Sequence, residues 1–346
     1  MRIVWGCLDS AGPYTLSNLQ LAIEDAHRDG SYSVTDKSKR PIPSLKNRLE
    51  HAKFDVEHAL GMYADSYCTL PAEAIYDKRM LAPFISIIES CHIYLIGLVP
   101  VIDFNGARQQ GDQLELSFTV LGNNYTVKYD LPKGLLLKRE EGYSYLEDSS
   151  GQRYWPKDDD IQARLNSESR VIDFDVKYIG QAYGQDGSRN ALDRLLKHET
   201  LQKISLKGIP QGHRLTLLLL SIQPSNQLIT MFNPFAQSKD EDGSRMQSGL
   251  DKLFNTSEQE RITLYEASLI RYFYPEYNKE FKDSFPSTNL KVLSDCYSKD
   301  FSAVVAEICI DELPFRLKSK VVAPTHYHIA EHDLHAAEDR RVFFGI

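Results

Sequence analysis

A chain of 346 residues with 42% hydrophobic content is long enough for two domains and is neither fibrous nor disordered in composition. Its formal net charge of -8 excludes a surface that is basic all over, so any nucleic-acid contact has to come from a local patch. Five cysteines (Cys7, Cys68, Cys91, Cys296, Cys309) lie apart with no C-x-x-C pair, which argues against a disulfide scaffold or zinc ribbon and fits a reducing cytoplasm.

In chain order, YTLSNLQLAIEDAHRDG reads as a helix stopped by Gly30. PSLKNRLEHAKFDVEHALGMYADSY reads as a longer helix on Leu49, Ala52, Phe54, Val56, Ala59 and Leu60, and AEAIYDKRMLAPFISIIESCHIYLIG as a third helical piece. Strand patterns then take over. QLELSFTVLG and YTVKYDL form a hairpin about Asn123 and Asn124, and YSYLED pairs with RYW across SSGQ. DDDIQARLNSES is a loop or short helix. The apolar runs Ile93 to Ile102 and Leu215 to Ile222 are far shorter than the roughly 20 residues a membrane helix needs and read as core strands, so no membrane partner is expected.

Residues 171–198 set a strand (VIDFDVKYIG), a turn through Gly180, Gly184 and Gly187, and a basic helix over 189–205 in succession. Arg194 and His198, four apart, share one face of that helix. A strand (HRLTLLLLSIQP) and a polar, mobile loop (236–258) lead to a helix over 257–273, opened by a Ser257/Glu260 capping box and ended by Pro275. Its buried stripe of Ile262, Leu269, Ile270 and Phe273 also contains Glu266. A buried carboxylate is costly without a cation, a metal or hydrogen-bond donors. LKVLSDCY, FSAVVAEICI and FRLKSKVV read as strands, and the C-terminal stretch as an exposed helix on which His328, His332 and His335 share a face.

KYIG (Lys177 to Gly180), the pair Arg194 and His198, and Glu266 twelve residues before Asn278 together resemble the GIY-YIG nuclease superfamily, in its restriction-endonuclease-like members. The resemblance implies an α+β protein with a small α/β nuclease module at 161–285. A helical then β-rich domain (1–160) precedes it, and C-terminal strands (286–346) follow and complete that β-rich domain. It implies divalent-metal-dependent hydrolysis of DNA with Mg²⁺ or Mn²⁺, a role in restriction or antiviral defence, and a homodimer or partner subunits. Tyr178, Arg194, His198, Glu266 and Asn278 take the catalytic roles and Glu266 holds the metal. Arg189, Lys197 and Lys203 lie on the DNA-binding face, and Arg189 competes with Arg194 for the arginine role. The family's first tyrosine has no evident counterpart; Tyr154 is the best nearby, with Tyr143 and Tyr145 behind it. Two other readings stand beside this one: a catalytically inactive domain of the same type, serving as a nucleic-acid-binding or structural subunit, and a phosphate- or nucleotide-binding module built on Gly180, Gly184 and Gly187. A tyrosine beside Tyr178 on a neighbouring strand weakens the first of these.

Overall fold

The computed structural model describes residues 7–9, 53–140, 142–183, 190–286 and 290–334. The molecule is α+β, organised on a nine-stranded mixed sheet. Strand β1 (Cys7–Asp9) pairs with β2 (Val56–Pro71), where the sequence reads a helix. Residues 56–62 and 67–70 of β2 are buried in unbroken runs, so the strand lacks the alternation that marks a one-sided strand. β2 is also the hinge of the sheet: residues 64–71 pair with one set of strands and residues 56–63 with another.

After two short helices, α1 (Lys78–Leu81) and α2 (Ile85–Ser90), the chain enters β3 (Ile93–Pro100), which is buried throughout. It then leaves the sheet. Strands β4 (Ile102–Gln110), β5 (Gln113–Val120) and β6 (Asn123–Asp130) form one small antiparallel sheet, and β7 (Leu136–Glu140), β8 (Tyr143–Glu147) and β9 (Arg153–Tyr154) another. The β5–β6 turn is Leu121–Gly122, both at positive φ (50° and 79°), with Asn123 already paired to Val120. This is the two-residue turn whose twist suits a hairpin, one step earlier than the asparagines indicate. Helix α3 (Asp158–Ser169) returns the chain to the main sheet.

The return strand, β10 (Asp173–Gln181), lies antiparallel against β3, and β11 (His213–Ile222) lies on the other side of β3. Between them run α4 (Ala191–Leu195) and α5 (Glu199–Lys207). β12 (Gln227–Phe232) pairs with β2, followed by α6 (Ser244–Asn255), α7 (Glu258–Phe273) and α8 (Lys291–Ser298). β13 (Ala303–Cys309), β14 (Arg316–Lys318) and β15 (Tyr327–Asp333) close the sheet in the order β14-β10-β3-β11-β2-β13-β15. Strands from all three segments that the sequence divides at 161 and 286 therefore share one sheet.

The sheet has a core on each face. Ile93, Leu95, Val99, Leu218 and Leu220 pack with α7, while Tyr94, Ile96, Leu98, Leu217 and Leu219 pack with α2, α4 and α5.

Several expectations are corrected here. The polar segment 236–258 is a loop only up to Gly243; from Ser244 to Asn255 it is α6, held to the sheet by Arg245, which donates to Val56 O at 2.7 Å and pairs with Glu57 and Asp300. Its Lys252 pairs with Asp295 at 2.6 Å. Partly buried ion pairs hold α6 to its neighbours there, and the charged residues that make them give the segment its loop-like composition. LKVLSDCY folds as α8, burying Leu293 and Cys296 at helical spacing. The expected terminal helix is β15 over Tyr327–Asp333, with residues 335–346 outside the described part. His328 Nε2 faces the carbonyls of Leu317 and Thr325, and His332 Nε2 faces that of Ser268, so both imidazoles tie β15 to its neighbours. Cys68 is disulfide-bonded, with Cys91, Cys296 and Cys309 free. Among the described residues no helix is long and apolar enough to cross a membrane.

One position tests the β3–β10 packing directly. A Cβ on Gly97 would sit 2.1 Å from the Phe174 ring, a contact no side chain can make. Gly97→Ala is expected to lower the unfolding free energy by about 1–3 kcal/mol. An unchanged thermal midpoint would mean that the two strands do not pack this way.

Candidate active site

Two tyrosines form the centre of the candidate site. In the β3–β10 register Tyr178 lies opposite Ile96 and Gly180 opposite Tyr94, with a bulge between Val176 and Tyr178. Tyr94 and Tyr178 are therefore diagonal neighbours on one face, their ring centroids 6.2 Å apart. Gly180 makes this approach feasible: a Cβ there would meet the Tyr94 hydroxyl at 2.5 Å and the Tyr178 ring at 2.8 Å.

Helices α4 and α5 close over this pair. The sequence reads one helix here, but the chain breaks at Leu196–Lys197 and His198 becomes the N-cap of α5, its Nδ1 accepting the Leu201 N–H at 3.2 Å. Arg194 and His198 consequently sit on consecutive helices, yet both reach the tyrosines. The His198 ring lies 5.0 Å from Tyr178 and 5.4 Å from Tyr94, and the Arg194 charge acts on the Tyr94 phenol. Because Nδ1 accepts from a backbone N–H, the proton of the neutral ring is on Nε2. Burial, reinforced by the Arg194 charge, pulls the imidazole down to about 4, so it is a neutral donor at physiological pH.

Glu266 comes in from α7, whose Ser257/Glu260 capping box forms as expected. Its side chain is 8% exposed, and burial, with the nearby Glu280 carboxylate, pushes its pKa up to about 8. The neighbouring Gln181 and the charge of Arg194 oppose that shift without cancelling it. Burial first, and then the Glu266 charge, likewise raise the Tyr178 phenol. One buried carboxylate is enough for a divalent ion that takes few protein carboxylates and keeps much of its water. Glu266 is the residue that would hold it.

Asn278 acts on the strand. Beyond Asp175 the outer edge of β10 has lost its β14 partner. Asn278 fills the gap: its Oδ1 accepts from the Ile179 N–H at 3.0 Å and its Nδ2 donates to the Ile179 carbonyl at 2.8 Å. A neighbouring backbone contact, Tyr277 N–H to Lys177 O at 3.0 Å, continues the same edge.

The structure thus brings Tyr178, Arg194, His198 and Glu266 together and seats Asn278 behind them. Lys197 and Lys203 are exposed on the turn and helix that follow Arg194, while Arg189, Gly184 and Gly187 lie outside the described residues. Gly180 belongs to β10 and not to a phosphate-cradling turn. Tyr154 is not in the cluster: it is exposed on β9 in a separate sheet and bonds to Asp148 at 3.1 Å. Sequence reasoning missed Tyr94 and Gln181. Tyr94 lies in the run Ile93 to Ile102, read there as core strand, and its one distinguishing mark is a phenol among aliphatic residues. No protein-family model, curated protein or solved structure matches the chain.

Two measurements follow from this geometry. Asn278→Ala leaves the buried Ile179 N–H and C=O without partners and should cost about 1–3 kcal/mol for each group, with faster amide exchange at Ile179. Native exchange protection there would remove the role given to Asn278. For Glu266, the metal-free folded state holds a proton that the unfolded chain releases near 4.5. The folded state then binds more protons between pH 4.5 and about 8, so this contribution to stability is full below pH 4.5 and lost as pH rises through about 8. Thermal midpoints in a chelator should therefore fall more from pH 5 to pH 9 in the wild type than in Glu266→Gln. Parallel curves would show that the carboxyl is not held neutral.

Proposed function

We propose that this protein is a divalent-metal-dependent endonuclease of the GIY-YIG type, hydrolysing phosphodiester bonds in DNA. The observation that carries the reading is the meeting of Tyr94 and Tyr178 on adjacent strands, over Gly180, beside Arg194, His198 and Glu266. A tyrosine next to Tyr178 supplies the element that the sequence motif lacked, and it favours an active centre over an inactive relative.

Each residue then has a role consistent with its environment. Glu266 would hold Mg²⁺ or Mn²⁺, which would supply Lewis-acid charge and a water of lowered pKa. Arg194 turns its planar fork to the scissile phosphate, a geometry that a lysine cannot reproduce. The phenols of Tyr94 and Tyr178, kept protonated by burial, orient the attacking water and donate to phosphate oxygens. His198 donates through Nε2 and fixes the tyrosine rings, and Asn278 holds the strand on which Tyr178 stands. Lys197, Lys203 and Lys207 give the local basic surface that an acidic chain needs for DNA. One such centre per chain cuts one strand, so cleavage of a duplex calls for a homodimer or a partner subunit. Restriction of foreign DNA in the cytoplasm is the role that goes with this reading.

The test is cleavage of plasmid and linear DNA with Mg²⁺ or Mn²⁺. Glu266→Gln is expected to abolish cleavage at least 100-fold, and Tyr94→Phe to reduce it about 10- to 100-fold with the fold intact. At limiting metal the wild-type rate should climb with pH and level off above about 8, because the ion must displace the Glu266 proton. DNA binding without cleavage by the wild type moves the assignment to an inactive nucleic-acid-binding subunit. Equal cleavage by Glu266→Gln removes the metal site.

A further inference from the structure

An exposed sheet edge is a template for a further strand, and proteins blunt such edges with a lysine, a proline or a bulge. β12 carries none of these. Its sequence from Gln227 to Phe232, QLITMF, has no charged residue, and its register with β2 is unbroken. Among the described residues no strand pairs with its other edge.

Helix α6 widens the same strip. Thr230 Oγ1 contacts His58 Nδ1 at 2.9 Å, and His58 Nε2 lies 2.9 Å from the Arg245 carbonyl, so Thr230 points to the face that α6 covers. Phe232, two residues on, points to that face too and is 66% exposed. β2 has β13 on one side and β12 on the other. On the β13 side, Arg245, Asp251 and Lys252 tie one flank of α6 to Asp300, Lys299 and Asp295. The opposite flank, which turns toward β12, is Met246, Leu250, Leu253 and Phe254 at helical spacing. Leu250 is exposed, and Phe254 is 77% exposed. A charge-free apolar strip of this kind marks contact with another protein. It offers no cation to a nucleic acid.

We propose that this strip joins two copies of the chain, β12 pairing with β12 of the second copy, antiparallel about a two-fold axis at Thr230, so that one sheet runs on into the other. The faces set the register. With α6 on the same side in both copies, residues opposite each other must point the same way, which puts Thr230 against its counterpart, Leu228 against Phe232 and Ile229 against Met231. Two chains of net charge -8 then meet along a ladder in which no like charges face each other. At a strand spacing of about 4.8 Å the two α6 helices come to roughly 10–14 Å of each other, a gap that Leu250 and Phe254 of both copies fill. Phe232 and Phe254 expose on the order of 300 Å² per copy, and the strand edge and Leu250 extend this toward the ~800 Å² per partner of a stable interface. Neither the strip nor its pairing depends on the nuclease reading.

The test is sedimentation equilibrium of the full chain at up to about 50 µM. The wild type is expected as a dimer. F232K and F254E change exposed side chains, so each is expected to keep the wild-type thermal midpoint while weakening self-association at least about 10-fold. Oxidised T230C is expected to give a covalent dimer that the wild type under the same oxidant does not. Residues opposite each other in an antiparallel pair stand about 4.5–5.5 Å apart at Cα, within reach of a disulfide. A wild type that stays monomeric overturns the proposal, and protected amides at 228–232 in that monomer would assign the edge to another part of the same chain. A dimer left intact by either F232K or F254E, or one in which T230C does not cross-link, overturns it as well.

Discussion

Everything in the candidate site depends on the pairing of β3 with β10. That register sets Tyr94 diagonal to Tyr178 and leaves a glycine where any side chain would separate them. The strands are clamped by core on both faces, aliphatic residues against α7 on one side and against α2, α4 and α5 on the other. The last free edge is closed by the Asn278 amide. A polar cluster inside a protein stays ordered only if its supports are rigid, and here the supports are apolar packing and one side-chain amide standing in for a missing strand.

Burial moves the titratable members of this cluster toward their neutral forms. His198 falls to about 4, Glu266 rises to about 8, and both phenols rise. Arg194 is the one arginine or lysine among them. A pocket of neutral hydrogen-bonding groups around one cation favours an anion, and a phosphate matches the fork of that cation. The same shifts leave no side chain suited to act as a strong base at neutral pH. His198 has its one lone pair committed to Leu201, and the phenols hold their protons. On the proposed reading, an ion taken up by Glu266 in exchange for a proton would supply the activation of water.

How much of this the sequence discloses depends on how far each feature reaches along the chain. Helix α7, its capping box and the buried phase of Glu266 are local patterns, and they are legible. The strand of Tyr178 and the hairpins of the inserted sheets are legible for the same reason. The helix expected over 43–67 is the β2 strand from Val56 onward, because two buried faces erase the period of two. The break at His198 was hidden by a continuous helical pattern, and only the cap geometry reveals it. The terminal histidines read as one face of an exposed helix, whereas His328 and His332 lie on a strand and face backbone carbonyls.

Tyr94 is the residue whose role no local pattern gives. Its partner strand follows only after the two small sheets and α3, so the residues that meet across one ladder are far apart in the chain. That detour does not loosen the pairing, because the inserted segment is not a tethered appendage. Leu114, Leu116, Phe118 and Val120 of β5 and Leu146 of β8 belong to the same apolar cluster as Phe174 of β10 and Phe273 of α7. The insert thus packs into the core that holds β10 in register against β3. A segment that separates Tyr94 from Tyr178 in sequence contributes, through that shared core, to holding the two rings together in space.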